Sequence, residues 1–188
     1  VYGYYFIDDL LTDEVVTNLK KSLPVYQIPE ESFLTDRKLM SLFYIGNHIT
    51  AMERADTFKA LSDRTDTYIY TGSDTSAMPH IHNCGLANTL LEMPLIFNRS
   101  EININTTSKA IRTGLPLRIF DILSCGGFCL SNYQEEIAEL FTPGEEIVMY
   151  SSIEELCDLV AYYLDHDRER EEIARAGYEK LRNSYTYE

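Results

Sequence analysis

The stretch Arg112–Leu156, RTGLPLRIFDILSCGGFCLSNYQEEIAELFTPGEEIVMYSSIEEL, decides the fold of this 188-residue chain. Pro116 opens a predicted helix that ends at Gly126-Gly127, because proline is favoured in the first helical turn and glycine just after the last one. A buried strand, a short helix, a second strand and a capped helix follow, at 128–130, 135–141, 146–150 and 151–164. Strands that alternate with helices predict a parallel α/β sheet.

Two further strands are predicted before this stretch. The run Thr67–Thr71 is rich in residues that favour strands, and apolar and polar residues alternate from Glu101 to Asn105. Helices are predicted at 51–63 and 92–98, so the alternation of strands and helices extends upstream. We therefore predict one α/β domain over residues 51–188.

Residues 1–50 carry helical patterns without a predicted strand. A helix is expected to begin at Thr12 or Asp13, which are capping residues, and to end before Pro24. We expect this region to be a helical lead-in that docks on another part of the protein. Because the chain begins with Val1 rather than Met, we expect it to be cut from a longer protein.

The chain is strongly acidic. It has 16 Lys and Arg against 30 Asp and Glu, a formal net charge of −14, which repels nucleic acid and anionic membranes. No apolar run approaches the roughly 20 residues of a membrane helix, and no signal-peptide pattern opens the chain. All the cysteines fall in apolar or helical patterns, which predicts buried thiols in a reducing cytoplasm: Cys84, Cys125, Cys129 and Cys157.

Two loops follow predicted strands, which is where open α/β sheets bind ligands. Gly72–Ser76 follows the first strand, and Thr106–Leu115 follows the strand that ends at Asn105. The second loop enters a helix through Thr113-Gly114-Leu115, and a glycine before a helix lets backbone N–H groups approach a phosphate. An ordinary tight turn is the alternative, because a single glycine before a helix is a weak signal.

Basic residues concentrate on the second loop and its flanks. Residues 98–118 have a net charge of +3, whereas residues 119–167 contain no Lys or Arg. This distribution predicts an anion site for a small ligand; the alternative is a set of solubilising side chains or pairs with nearby acids. The basic residues are Arg99, Lys109, Arg112 and Arg118, and Glu101 is the single acid.

Acidic residues near this loop have two interpretations. Asp121 lies one turn after Arg118, where a carboxylate can accept two hydrogen bonds from ribose hydroxyls or form a salt bridge with that arginine. Glu135, Glu136 and Glu139 are predicted to form a solvated helix face, although a carboxylate at the start of this helix could touch a ligand.

The sequence gives little support for a metal site, a serine nucleophile or a glycine-rich nucleotide-binding motif. His80, His82 and Cys84 lack the second ligand cluster of a zinc site, so no metal site is predicted. Ser124 and Cys125 do not lie in a G-x-S-x-G turn. Neither G-x-G-x-x-G nor G-x-x-x-x-G-K-[ST] occurs, which argues against nicotinamide dehydrogenases and P-loop nucleotide hydrolases.

The run Arg112–Leu156 resembles the C-terminal domain of GT-B glycosyltransferases, most closely the CgeB-like, or spore-protein-like, branch with a group-1-type domain. Three other stretches look similar to this branch: YTGSDTSAMPHI (70–81), EMPLIFNRSEININTTSKAIRTG (92–114) and REREEIARAGYEKLRNSYTYE (168–188). The resemblance covers residues 51–188. It implies a Rossmann-like half of a two-domain fold, with residues 1–50 leading in from an N-terminal acceptor domain.

The resemblance implies that this half binds a nucleoside-diphosphate sugar, with a UDP-sugar the leading candidate, and needs no metal or other cofactor. Thr113, Gly114 and Leu115 would hold the diphosphate and the distal sugar, and Asp121 would hold the ribose. The catalytic residues would be Arg112 and Arg118, whose charges stabilise the leaving diphosphate. The other donor-binding residues would be Gly72, Ser73, Asp74 and Asn105.

The sequence departs from the family pattern at two places. Thr113 stands where many retaining members carry a glutamate, and Asp74 lies on a loop that usually carries Arg and Lys. As partners, the resemblance implies the sugar donor, a glycan or protein acceptor, and a missing N-terminal domain without which the fragment is inactive. A homodimer through the lead-in is a further expectation.

Three functions therefore stay open. The first is the donor-binding part of a cytoplasmic hexosyltransferase. The second is a degenerate, non-catalytic glycosyltransferase-like module in a spore or cell-surface layer. The third is another α/β nucleotide-binding enzyme, such as an epimerase or a reductase, against which the missing glycine fingerprint argues.

Overall fold

The computed structural model of the chain describes residues 7–22, 32–108, 111 and 113–185. Apart from the first two residues, the chain divides by its contacts into two units, residues 3–54 with 108–112 and residues 55–107 with 113–188. The first division falls between Arg54 and Ala55, four residues after the boundary expected from the sequence. Among the described residues, Ser108 and Ile111 group by their contacts with the N-terminal unit, which the linear sequence does not indicate.

The elements of the described residues are numbered in chain order. The helices are α1 (Ile7–Leu10), α2 (Asp13–Ser22), α3 (Asp36–Leu39), α4 (Asn47–Ser62), α5 (Met93–Arg99), α6 (Leu117–Ser124), α7 (Glu135–Leu140), α8 (Ile153–Asp165) and α9 (Asp167–Ser184). The strands are β1 (Thr67–Ile69), β2 (Ile81–Asn83), β3 (Asn103–Asn105), β4 (Cys129–Asn132) and β5 (Val148–Tyr150). A π-helical stretch, Met40–Gly46, joins α3 to α4.

The main sheet of the second unit consists of β3, β4 and β5, paired in parallel in that order. Successive residues of β4 contact two different apolar clusters: Leu130 packs with residues of α8 and α9, and Cys129 with residues of α6 and α7. Helices therefore cover both faces of the sheet, as expected for parallel strands joined by helical crossovers. The predicted α/β fold with a parallel sheet flanked by helices is confirmed.

Two helix boundaries follow from local capping chemistry. Helix α6 begins after Pro116 and is followed by Gly126 at a φ of 72°, the left-handed conformation that favours glycine. At the start of α8, Ser152 Oγ accepts a hydrogen bond from the Glu155 N–H at 3.1 Å. Glu155 Oε2 accepts from the Ser151 N–H at 2.7 Å, so the predicted capping box forms with its second bond one residue early.

Helix α9 lies close to the connection that precedes β5. A Cβ atom at Gly177 would overlap the Glu146 carbonyl oxygen and would lie 2.8 Å from Leu123 Cδ2 on α6. Only a residue without a side chain permits this approach. Gly177 therefore allows α9 to pack against α6, and Leu181 on the next turn of α9 joins the same apolar cluster as Leu123.

A second, two-stranded sheet pairs β1 with β2 in parallel, with Tyr68 opposite His82. β1 begins at the predicted residue and ends at Ile69 rather than Thr71. β2 is not predicted by the sequence, because its three residues, Ile81–Asn83, are too few to show an alternating pattern. Its backbone extends because β1 provides hydrogen-bonding partners.

The described part of the first unit is helical, as predicted. Thr12 Oγ1 accepts a hydrogen bond from the Val15 N–H at 3.3 Å, which caps α2 at the expected place. Thr35 caps α3 in the same way through the Lys38 N–H. The predicted end of α2 at Pro24 lies outside the described residues. A small apolar cluster holds the unit together and contains Ile7, Leu11, Val16 and Met40.

The cysteines do not all behave as predicted. Cys129 and Cys157 are buried and Cys125 is half-buried, but Cys84 is exposed and the prediction of a buried thiol there is wrong. Cys84 directly follows β2, where the short two-stranded sheet ends, and its side chain is left exposed there. In the part of the chain that the structure describes, no helix has the length and apolar character needed to cross a membrane.

Candidate functional site

The side chain of Asn132, the last residue of β4, forms hydrogen bonds with the backbone of the loop that follows β3. Asn132 Oδ1 accepts a hydrogen bond from the Thr107 N–H at 2.8 Å, and Asn132 Nδ2 donates to the Thr107 carbonyl at 3.1 Å. Both residues are buried. The primary amide therefore continues the sheet pairing past the end of β3 and fixes the first residues of the loop that follows.

Buried polar side chains extend this arrangement beneath the loop. Asn105 Nδ2 donates to Ser131 Oγ at 2.8 Å and to Thr107 Oγ1 at 3.0 Å. Thr107 Oγ1 in turn donates to Gln134 Oε1 at 3.0 Å. Asn105, predicted to bind the donor, is only 4% exposed, and both of its amide hydrogens are engaged within the protein. In this structure Asn105 holds the loop in place.

The residues Thr113–Leu115, called here the Gly114 loop, lead into α6. Gly114 has a φ of 91°, a conformation that residues with a side chain rarely adopt, and a Cβ atom there would meet nothing within 4 Å. The Gly114 N–H donates to Glu136 Oε1 at 3.3 Å. Thr113 and Gly114 are exposed and Leu115 is half-buried. A glycine is needed here for its backbone conformation rather than for space.

Two predicted site residues lie on α6, directly after this loop. The Arg118 guanidinium lies over the Phe97 ring, with Cζ 5.2 Å from the ring centroid, a cation–π contact that orients an otherwise exposed side chain. Asp121 is exposed, and among the described residues no ion pair joins it to Arg118. The alternative of a salt bridge between them is therefore not observed, and both charged groups face solvent on the first turns of α6.

The Gly72–Ser76 loop is organised by its own hydrogen bonds. Asp74 Oδ1 accepts from the Ser76 N–H at 2.9 Å and Asp74 Oδ2 accepts from Ser76 Oγ at 3.0 Å. These bonds, the backbone one first, hold the pKa of the Asp74 carboxyl below its ordinary value. Asn83 Nδ2 donates to the Ser73 carbonyl at 3.3 Å. Asp74 and Ser73 therefore shape the loop, and Gly72 packs near Leu86.

The other basic residues near the second loop, and the two histidines considered for a metal site, lie apart from these contacts or outside the described residues. Arg112 and Lys109 lie outside the described residues. Arg99 is exposed at the end of α5. His80 Nδ1 lies 3.0 Å from Asp63 Oδ1, and the His82 ring stacks on Tyr68 at 4.8 Å between centroids. Within the described ranges, no group of three or more His, Cys, Asp or Glu residues could hold a metal ion.

The run Asn132–Glu136, from the last residue of β4 to the first turn of α7, is the part of the site that sequence reasoning missed. It supplies Asn132 and Gln134 to Thr107, and Glu136 to Gly114. Glu135 and Glu139 are exposed as predicted, but Glu136 is half-buried. One signal was present in the sequence: the polar run Ser131–Gln134 directly follows an apolar strand. Polar residues at the carboxyl end of a buried strand indicate side chains that organise a ligand-binding edge.

Comparison with known families matches residues 54–188 to the glycosyl transferase-like family. The match begins beside the division between the two units and includes both sheets and all the residues described at the carboxyl edge. No curated protein matches the chain. Because the family pattern extends over well more than half of the sequence, the chain belongs to the glycosyl transferase-like family.

Proposed function

We propose that this chain binds the donor for a glycosyltransferase that moves a hexosyl group from a nucleoside-diphosphate sugar to a glycan or protein acceptor. The observation that carries the proposal is the Gly114 loop at the start of α6, followed one turn later by Arg118 and two turns later by Asp121. It lies in a domain of the glycosyl transferase-like family. A UDP-sugar is the donor we expect first.

Each residue of this edge has a proposed role. Arg118 and the backbone of Thr113–Leu115 contact the diphosphate, and Asp121 accepts hydrogen bonds from the ribose hydroxyls. Arg112 adds a second positive charge at the diphosphate. Three further residues, on the loop after β1, contact the base or the phosphates: Gly72, Ser73 and Asp74. Asn105 contributes by holding Thr107 and so shapes the site from beneath.

The proposed chemistry is displacement at the anomeric carbon. The acceptor oxygen forms a bond to that carbon, the bond to the diphosphate oxygen breaks, and the diphosphate leaves with the electron pair. Arg112 and Arg118 stabilise the charge that develops on the leaving group, so the reaction needs no metal. The acceptor and the group that takes its proton lie on an N-terminal domain outside this chain, and the isolated chain is therefore inactive in transfer.

Two observations support the presence of a small-anion site on an acidic protein. The chain carries a net charge of −14, yet residues 98–118 have a net charge of +3. A local positive potential concentrates small anions even when the whole molecule is negative. We place the protein in the cytoplasm, where nucleotide sugars are available and where thiols stay reduced. A homodimer through the helical N-terminal unit is part of this proposal.

The deciding experiment is calorimetric titration of the chain with UDP, GDP, CDP and ADP without added metal. One of these should bind, and Arg118→Ala should weaken that binding by about 1.5–3 kcal/mol, the range for a hydrogen bond to a charged group. Arg175→Ala is the matched control, because Arg175 is an exposed arginine on α9, which supplies no residue to the proposed site. Equal losses for both arginines would mean a general charge effect and would exclude the assigned site.

A degenerate, non-catalytic module in a spore or cell-surface layer is the second candidate. It is favoured by the Gly114 N–H, which already donates to the protein's own Glu136 carboxylate, and by Thr113 in place of an acidic residue. The two candidates differ in turnover. Release of nucleoside diphosphate by the full-length protein, in the presence of acceptor and of a sugar nucleotide that the chain binds, would exclude the module.

A further inference from the structure

The run Asn132–Glu136, from the last residue of β4 to the first turn of α7, holds the loop between β3 and α6 at two points, Thr107 and Gly114. Asn132 bonds the N–H and the carbonyl of Thr107, and Gln134 accepts from the Thr107 hydroxyl. Two residues further on, Glu136 accepts from the Gly114 N–H. The side chains of Asn132 and Gln134 are buried, so the first of these two attachments is rigid.

The hydrogen bond between Glu136 and Gly114 differs from the attachment at Thr107, because it is not buried. Gly114 is exposed and, because it is a glycine, adopts its φ of 91° without strain but is not restricted to it, so contacts from outside the loop decide which conformation it keeps. An ionised carboxylate forms a stronger hydrogen bond with a backbone N–H than a neutral acceptor does. Glu136 is half-buried on the first turn of α7, whereas its neighbour Glu135 is exposed. The side chain that reaches Gly114 is therefore partly fixed by its surroundings.

We propose that Glu136 is a positioning residue: it holds the Gly114 loop in the conformation that receives the donor diphosphate, as Asn132 and Gln134 hold Thr107. The inference rests on the proposed function. It changes one detail of the site, because the Gly114 N–H is engaged by Glu136 and the neighbouring backbone of Thr113 and Leu115 faces the donor. Glu136 acts through the loop and does not itself contact the donor.

An opposite role for Glu136 would follow from charge alone. A carboxylate beside a diphosphate repels it, so Glu136 would then be a competitor whose removal strengthens binding. The two roles make opposite predictions for Glu136→Ala. Glu136→Gln separates them further, because its amide oxygen can still accept from the Gly114 N–H although the charge is gone.

The test uses the whole chain and three variants: Glu136→Ala, Glu136→Gln, and the control Glu135→Ala. Amide hydrogen exchange, measured without any ligand, reports how firmly the Gly114 loop is held. The Gly114 amide should exchange faster in Glu136→Ala and keep its protection in Glu136→Gln and Glu135→Ala. Unchanged exchange in Glu136→Ala would show that Glu136 does not hold the loop and would overturn the inference.

Calorimetric titration with the four nucleoside diphosphates then measures the affinity of the proposed donor site. Glu136→Ala should bind about tenfold more weakly, whereas Glu136→Gln and Glu135→Ala should retain the affinity of the unaltered chain. Equal or tighter binding by Glu136→Ala overturns the inference and leaves the proposed function intact. Binding of no diphosphate by the unaltered chain overturns the proposed function, and with it the role of Glu136 toward a donor. Thermal unfolding of each variant shows whether a loss of affinity is a loss of fold.

Discussion

The side chain of Asn132 holds both the N–H and the carbonyl of Thr107, at 2.8 and 3.1 Å, and thereby joins the end of β4 to the loop after β3, 25 residues earlier in the sequence. Both residues are buried, so water does not replace either bond. This relationship makes the carboxyl edge of the sheet a rigid platform for the residues that follow β3 and β4.

Asn132→Ala should lower the free energy of unfolding by about 2–3 kcal/mol, because it leaves the buried Thr107 N–H and carbonyl without partners. Urea denaturation followed by circular dichroism measures the change. Asn183→Ala is the control, since Asn183 is exposed on α9 and its loss should cost less than about 0.5 kcal/mol. A cost for Asn132→Ala as small as that of the control would mean that the amide does not stabilise the loop.

Gly177→Ala should destabilise the chain by about 1–3 kcal/mol, because the added methyl group overlaps the Glu146 carbonyl and Leu123. Alanine normally favours a helix over glycine, so the sign of the change is itself informative. The midpoint of urea unfolding measures it, with Glu179→Ala on the exposed side of the same helix as the control. Stabilisation by Gly177→Ala would contradict the close approach of α9.

Stability should fall in alkaline solution because of a buried thiol. Burial raises the pKa of Cys129 from 9.0 to about 12. Below the unfolded pKa the thiol is neutral in both states; as the pH rises from about 9 towards 12, the unfolded chain loses this proton first and unfolding becomes easier. Burial also raises the pKa of Tyr163, which acts in the same direction.

The alkaline loss is measured by urea unfolding at about pH 8 and about pH 10.5, within the window in which only the unfolded thiol ionises. Cys129→Ala should show a smaller loss between these two values than the unaltered chain. Cys84→Ala is the control, because Cys84 is exposed. An identical loss in Cys129→Ala and the unaltered chain would exclude this thiol as a cause.

Asp121→Asn should weaken binding of the preferred nucleoside diphosphate by about tenfold and leave binding of inorganic pyrophosphate unchanged, because only the nucleotide presents ribose hydroxyls to the carboxylate. Competition between the two ligands measures the difference. Glu139→Gln removes an equal charge from the exposed face of α7 and is the control. Equal weakening of both ligands by Asp121→Asn would place Asp121 near the phosphates and not the ribose.

Much of the fold is predictable because its causes are local. Helix α6 begins after Pro116 and ends before Gly126, and the capping residues Ser152 and Glu155 start α8 where the sequence predicts it. These boundaries depend on backbone conformation and on bonds within one turn. The strand β2 is not predictable in this way, because three residues carry no periodicity and extend only when β1 pairs with them.

The candidate site likewise has features that the sequence shows and contacts that only the structure shows. The sequence alone points to the Gly114 loop, to the local positive charge and to Asp121, since a glycine before a helix and a run of charges are visible in one dimension. It does not show that Asn105 is engaged within the protein, that Glu136 reaches Gly114, or that Arg118 lies over Phe97. Those contacts join residues between 21 and 26 positions apart.

By itself, therefore, the sequence determined four of the five described strands, the helices that alternate with them, and the position of the loop that opens α6, because each depends on residues that are neighbours in the chain. Only the tertiary structure decided which polar side chains hold the loops and which stay exposed. Parallel strands bring their carboxyl ends together across a helical crossover, and hydrogen bonds between those ends exist only when the sheet has formed.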